Sequence, residues 1–220
     1  MNNSLIKNNN THNHYTSCNE LRRLALRMQR SIGKVEDISV NASIVASQTG
    51  NQARVFFEIS SQIEKTSRKM HTKINMLLDV INKLIENVLS SKIAQQRINY
   101  FTQTTLSQNQ PANFQLIETV KERLKRQVAR GSFQLVNGVN AIESHFSAFE
   151  FLINRIFVAL TALRVEEELF RNQLKLATVD SLIKSFEKLL TNLSEDYDAF
   201  RDYFTLFKYI NKHLLQEREI

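Results

Sequence analysis

The sequence predicts an all-α protein built of elongated antiparallel helical hairpins that form a coiled-coil-like four-helix bundle. Three observations carry that expectation. The 220 residues include only four glycines and one proline, Pro111, too few breakers for a turn-rich sandwich or a βαβ fold. Apolar residues recur at steps of three or four over long distances, the period of one helix face. Breaks in that rhythm fall at few places, so the helices are long.

The opening seventeen residues, MNNSLIKNNNTHNHYTS, are rich in asparagine and offer little to bury. Residues 1–18 are therefore expected to be a disordered tail. They contain no apolar core of the kind a secretory signal needs. From Leu21 the pattern changes. Leu21, Leu24, Met28, Ile32, Val35, Ile38, Ala42 and Val45 form one stripe, interrupted by Gly33 at a cost of about 1 kcal/mol relative to alanine. Beyond Gly50 a second stripe runs through Phe56, Ile59, Ile63, Thr66, Met70, Ile74, Leu77, Ile81, Leu84 and Val88, a heptad seam. Residues 19–107 thus read as one hairpin with its tip near Gly50.

Pro111 stands in a polar cluster, SQNQPANF, and marks a loop over 108–113. Residues 114–220 read as a second long hairpin packed on the first. Its first arm runs through Ile117, Leu124, Val128, Phe133, Val136, Val139, Ile142, Phe146, Phe149, Ile153, Phe157 and Leu160. Within that arm, Gly131 and Gly138 mark a kink or a close helix contact. The second arm runs through Leu174, Val179, Ile183, Phe186, Leu190, Leu193, Tyr197, Phe200, Phe204, Phe207, Ile210 and Leu214, with the turn placed at Asn172 to Thr178. Leu21 to Thr49 is much shorter than Ala53 to Leu106, so the second helix is expected to bend or to overhang its partner.

Lysine and arginine number 29 against 22 acidic residues, a formal net charge of +7. That balance is compatible with nucleic acid, an anionic membrane or an acidic partner, but the charges alternate through most of the chain as on a solvated helical surface. Cys18 is the single cysteine, which excludes an internal disulfide and a thiolate metal cage and fits a reducing compartment. The most apolar stretch, FLINRIFVALTAL, is broken by Asn154 and Arg155 and falls short of the ~20 residues of a membrane span. The expectation is a soluble, cytoplasmic protein without a span.

The region around Gly50 holds the most specific pattern. Small residues, Ala42, Ser43, Ala46 and Ser47, precede the glycine, and Phe56 and Phe57 follow it. Glycine past a helix end adopts a positive φ without a Cβ clash, as a tight hairpin requires. Asn41, Ala42, Ile44, Ala46, Gly50, Arg54, Phe56 and Ile63 together resemble, at ungapped spacing, the cytoplasmic hairpin tip of bacterial methyl-accepting chemotaxis proteins. The resemblance covers about thirty residues, or seventy with the flanking heptads. It implies a non-enzymatic signalling or scaffold protein that acts through helix-bundle contacts. Its tip residues Val40, Asn41, Ile44, Val45, Gln48, Gly50, Arg54 and Phe56 would meet a histidine kinase, its coupling adaptor or other chemoreceptors. It also implies self-association, with no cofactor or metal.

Departures from the family pattern bear on that contact. The tip glutamate and the arginine three residues later are here Val45 and Gln48, and a valine cannot accept a charge-assisted hydrogen bond. Asn51, Ala53, Val55 and Gln62 replace one acidic residue, two glycines and a glutamate. Gln95 and Gln96 are the nearest match to the family's methylation pairs, but Ile93, Arg97 and Asn99 do not fit the flanks. A second echo, VALTALRVEEELF from Val158 to Phe170, resembles a variant of the same tip through Ala159, Leu160, Arg164, Val165 and Glu166. Two tips in one chain would build within one molecule the bundle that receptors assemble by dimerising.

No Gly-rich phosphate loop, His-Glu-x-x-His helix or activated nucleophile is present in the sequence. Glu166, Glu167 and Glu168 point to different faces of a helix, and His145 and His213 lack the Glu-x-x-His spacing of di-iron bundles. Two basic faces remain: Arg23, Arg27, Arg30 and Lys34, then Arg123, Arg126 and Arg130. Either could meet phosphate, but no groove-reading motif accompanies them, so nucleic-acid binding ranks below protein contact. The alternatives are a helical-bundle effector or structural adaptor with a convergent tip, and a basic nucleic-acid-associated bundle.

Overall fold

A computed structural model describes residues 2–49, 54–107, 111–169 and 176–211, with side chains described over 15–48, 54–104, 114–168 and 179–211. Four helices form an all-α bundle: α1 (Asn2–Thr49), α2 (Arg54–Ser107), α3 (Pro111–Leu169) and α4 (Leu176–Ile210). Gly50, Leu174, Leu214 and the turn expected at 172–178 fall wholly or partly outside the described residues.

Cross-helix pairs fix the topology. Arg22 Nε donates to Asn82 Oδ1 at 3.0 Å, Gln29 Nε2 to Asn75 Oδ1 at 2.7 Å, and Arg68 pairs with Glu36 at 3.5 Å. The two numbers of each pair total 104, and α1 and α2 are antiparallel within each of the molecule's two compact units. A side chain at Gly131 would meet Ser91, and one at Gly138 would meet Leu84, each pair totalling 222, which makes α3 antiparallel to α2. Phe146 stacks on Tyr197 at 4.4 Å and on Phe200 at 5.2 Å, joining α3 to α4. Ser31 Oγ donates to Asp196 Oδ2 at 2.7 Å and closes α4 against α1.

The compact units cut across the hairpins instead of separating them. Residues 1–22, 79–142 and 205–220 form unit 1; residues 23–78 and 143–204 form unit 2. Each core is made by side chains from different helices. In unit 1, Leu21, Ile81, Leu84, Val139 and Ile142 are buried; in unit 2, Met28, Ile32, Ile74, Phe149, Phe186 and Phe200 are. Burying aromatic rings of that size contributes about 2–3 kcal/mol each.

Four expectations are corrected. Helix α1 starts at Asn2 and takes in the segment expected to be a disordered tail; Ser17 and Cys18 are already buried. Asparagine is a weak helix former but not a breaker, and a turn anchored by packing can extend through it. With that segment helical, α1 has 48 residues and α2 has 54, so the arms nearly match and the expected overhang is largely removed. Of the loop expected over 108–113, residues 111–113 are helical, because Pro111 opens α3, and 108–110 lie outside the described residues. Proline suits a first helical residue, where its missing N–H would have had no partner and its φ is already helical. Phe133 and Phe157, expected in the core, are exposed.

Gly33 meets nothing within 4 Å and lies inside an unbroken helix. Gly131 and Gly138 are close-contact positions, and the helix assignment of α3 is continuous through both.

Candidate functional site

The α1–α2 hairpin end belongs to unit 2, as does the end of α3 that holds Val165 and Glu166. Small side chains set how the hairpin closes. Ala42 and Ala46 are buried, and Ser39 Oγ satisfies itself by donating to its own helix at Val35 O, 2.6 Å away. Phe56 is only 4% exposed, and Ile63 is buried in the same line one heptad further on.

Of the eight residues expected to meet a partner here, the structure leaves Asn41, Ile44, Gln48 and Arg54 exposed, and Val40 and Val45 half-buried. Ile44 is the outward apolar residue, 49% exposed. Arg54 is engaged along its own helix, its Nε donating to Glu58 Oε1 at 3.2 Å. Phe56 is corrected from a contact residue to a core residue. Its ring is buried and is not available to a partner. Gly50 lies outside the described residues.

At the end of α3, Arg164 grips Glu187 of α4 through two parallel bonds, Nε to Oε1 at 2.7 Å and a terminal nitrogen to Oε2 at 2.5 Å. That guanidinium holds the Glu187 carboxyl below the ordinary range. It also reaches Glu167, which is buried, at 3.4 Å. Arg164 therefore ties two helices together, a structural task that the tip echo did not suggest.

A different surface is the strongest feature of unit 2. Helix α3 buries Phe149, Leu152, Ile153, Ile156, Ala159, Leu160 and Leu163 on its inner side. Its outer side presents Phe151, Val158 and Val165, which are 68%, 71% and 54% exposed and fall at successive heptad positions. Sequence reasoning missed this line because it followed only one stripe per helix. The signal was present as three apolar residues seven apart, out of phase with the core seam.

The same double-sidedness accounts for the hydropathy of α3. By length and composition alone it could cross a membrane: an 18-residue window has mean hydropathy 1.6, and 44% of that window is buried inside the bundle. The composition therefore contains a core face and a second apolar line.

Beside Phe151 lies a shallow groove of about 430 Å³ between α2 and α3, lined by Lys69, Thr72, Lys73, Ala148 and Leu152. A neighbouring groove of about 530 Å³ brings Lys65 and Lys69 near Arg155 and Phe57. Among the described residues none of Lys65, Lys69, Lys73 and Arg155 forms an ion pair.

The two basic faces seen in the sequence differ in the structure. On α1, Arg27 is matched to Asp196 at 2.6 Å and Arg30 bonds its own helix at Leu26 O. On α3, the lysines are matched to glutamates while Arg123, Arg126 and Arg130 line a groove in unit 1. No group of three or more His, Cys, Asp or Glu side chains that could hold a metal occurs among the described residues. No protein-family model matches the chain, and no curated protein or solved structure is significantly similar to it.

Proposed function

We propose that the protein is a non-enzymatic scaffold that pairs with a second copy of itself through the outer side of α3. The observation that carries this reading is the exposed heptad series Phe151, Val158 and Val165 on a helix whose opposite side is already buried. Seven-residue spacing is what a facing helix requires, because each apolar knob then meets a hole in the same register.

Charge favours a second copy as that helix. In a two-fold antiparallel pairing centred on Val158, Phe151 meets Val165, and Ala148 shares a flank of the seam with Glu166 of the other copy. Lys69 and Lys73 line the groove at Ala148, so the pairing sets basic side chains of each copy near the half-buried Glu166 of the other. Such an interface uses the same patch on both molecules and closes at two. Fourteen residues of helix span about 21 Å, a short seam, so the dimer is weak and concentration-dependent.

Cysteine cross-linking tests the geometry in a Cys18→Ser background. Val158→Cys should form a disulfide dimer under mild oxidation, whereas Phe151→Cys alone should not, because the two copies' residues 151 are about 21 Å apart. A protein that sediments as a monomer at every concentration and gives no Val158→Cys dimer overturns the proposal. Equal cross-linking at both positions overturns the antiparallel register.

A second contact is favoured by exposed Ile44 beside Asn41 and Gln48 at the α1–α2 hairpin end. Here we propose docking onto a chemosensory histidine kinase, its coupling adaptor or a chemoreceptor, in keeping with the resemblance of Asn41 to Phe56. Buried, free Cys18 fits a reducing cytoplasm as the setting. Capture of those proteins by the wild type and its loss in Asn41→Arg is the expected result. Equal capture by both removes this contact while leaving self-pairing intact.

A further inference from the structure

We infer that unit 1 carries a binding site for a short polyphosphate chain in the groove between α2 and α3. The groove, about 620 Å³, is lined by Arg123, Arg126 and Arg130 from α3, with Gln127, Gln134, Asn87, Ser90 and Ser91 around them. Its placement follows from the close approach of the two helices. A Cβ at Gly131 would overlap Ser91 Oγ, forcing that hydroxyl to rotate, and stand 3.1 Å from Ser91 Cβ, so the glycine marks a close approach of α2 to the arginine row. Gln127 Nε2 donates to Ser90 Oγ at 2.7 Å and bridges the helices beside that row.

The pattern of charge matching singles out the arginines. In the same stretch Lys121 pairs with Glu118 and Lys125 with Glu122, both at 2.6 Å. Arg123, Arg126 and Arg130 form no ion pair among the described residues, although they share one helix face. Three guanidinium groups within one groove repel each other until an anion enters, and arginine's planar fork suits phosphate oxygens in pairs. From Arg123 to Arg130 the helix rises about 10 Å, so one orthophosphate cannot reach all three, whereas linked phosphates can.

The lining also separates this ligand from a nucleic-acid strand. Sequence-tolerant binding of single strands relies on aromatic side chains that stack the bases. No aromatic or aliphatic residue lines this groove; apart from Gly131, its lining side chains end in guanidinium, amide or hydroxyl groups. The phosphates are therefore the recognised part, and any base or sugar attached to them stays in solvent.

Calorimetric titration of the full chain with inorganic tripolyphosphate tests the site. Saturable one-to-one binding is expected, falling steeply with added salt, with orthophosphate at least tenfold weaker. Arg126→Gln should weaken it roughly tenfold, Arg126→Lys should restore part of it, and Lys125→Gln should change it little. ATP should bind like tripolyphosphate, since nothing in the groove reads the base. Absence of saturable binding, or an Arg126→Gln variant that binds as the wild type, overturns the inference. So does a single-stranded RNA that binds far more tightly than tripolyphosphate, which would make the site a nucleic-acid groove. Unchanged helical circular dichroism in each variant assigns the loss to the site and not to the fold.

Discussion

Gly138 of α3 lies against Leu84 of α2 so closely that a Cβ placed on the glycine would overlap a Leu84 methyl and come within 2.7 Å of its Cγ. Seven residues earlier on α3, and seven later on α2, Gly131 and Ser91 repeat the relationship. Two glycine notches one heptad apart therefore lock the α2–α3 register within unit 1. Leu84 is 2% exposed, so its side chain is enclosed in the core.

The substitution Gly138→Ala sets two effects against each other. Alanine gains about 1 kcal/mol of helix propensity over glycine. Overpacking a closed core costs about 1–3 kcal/mol, and here it should win. The expected outcome is a net loss of roughly 1 kcal/mol in urea unfolding. Gly33→Ala is the matched control. Nothing lies within 4 Å of that position, so only the propensity gain remains, and the variant should be more stable by about 1 kcal/mol.

Ser60 and Ser67, seven apart on α2 in unit 2, are fully buried, and neither hydroxyl has a hydrogen-bond partner among the described residues. Thr66 beside them is different, its Oγ1 donating to Gln62 O at 2.8 Å. Removing an unpartnered buried hydroxyl relieves a desolvation cost of about 1–3 kcal/mol, offset by the small cavity left behind. Ser60→Ala and Ser67→Ala should each unfold at the same or slightly higher urea concentration than the wild type. A loss above about 1 kcal/mol in either would show a hydrogen bond formed in solution.

How much of this the sequence disclosed depended on the size and spacing of the side chains involved. Leu21, Met28, Ile32 and Val35 were legible as one seam, and all are buried, because large apolar groups at steps of three and four leave little choice of face. Phe133 misled because it follows Val128 by five residues, about 140° off the stripe on a helix, and the core there takes Leu135 and Val136 instead. At Ile156, Phe157 and Val158 three adjacent apolar residues give no rule for which turns inward, and only Ile156 does so completely. Small buried residues such as Ala25 and Ser39 were invisible, since they add almost nothing to a hydropathy pattern. The candidate site was legible as residue types but not as a surface. Phe56 was recognised and then assigned to the outside, and the arginine row was seen without the groove that Gly131 makes beside it.

Asp196 supplies a test of how α4 is held in unit 2. Its carboxylate accepts from Ser31 Oγ and pairs with Arg27, while the acid itself is nearly buried and Arg27 is 44% exposed. Loss of the arginine therefore takes the counter-charge away from a nearly buried carboxylate and leaves it the Ser31 hydroxyl as donor, which is costly. Loss of the acid leaves Ser31 with a buried, unpaired hydroxyl. Asp196→Ala is expected to cost about 2 kcal/mol, and Arg27→Ala about as much, since each leaves a buried polar group without its partner. The double variant with Ser31→Ala should recover part of the Asp196→Ala loss, which a double-mutant cycle would read directly.

Cys18 predicts how stability depends on alkali. The thiol is fully buried in α1, and burial alone pushes its pKa from 9.0 up to about 12. In the folded chain it therefore keeps its proton at a pH where the unfolded chain has released it. The folded state binds more protons across that window, so stability falls as pH rises. The stabilisation is complete below pH 9 and is lost progressively between about pH 9 and 12, with a slope approaching 1.4 kcal/mol per pH unit. Cys18→Ala removes the titrating group, and the difference in unfolding free energy between wild type and variant should shrink with that slope above pH 9. A parallel pair of curves would mean the thiol ionises in the native state. Near neutral pH the same burial should make the native protein inert to iodoacetamide until it unfolds, because the thiolate is the reacting form.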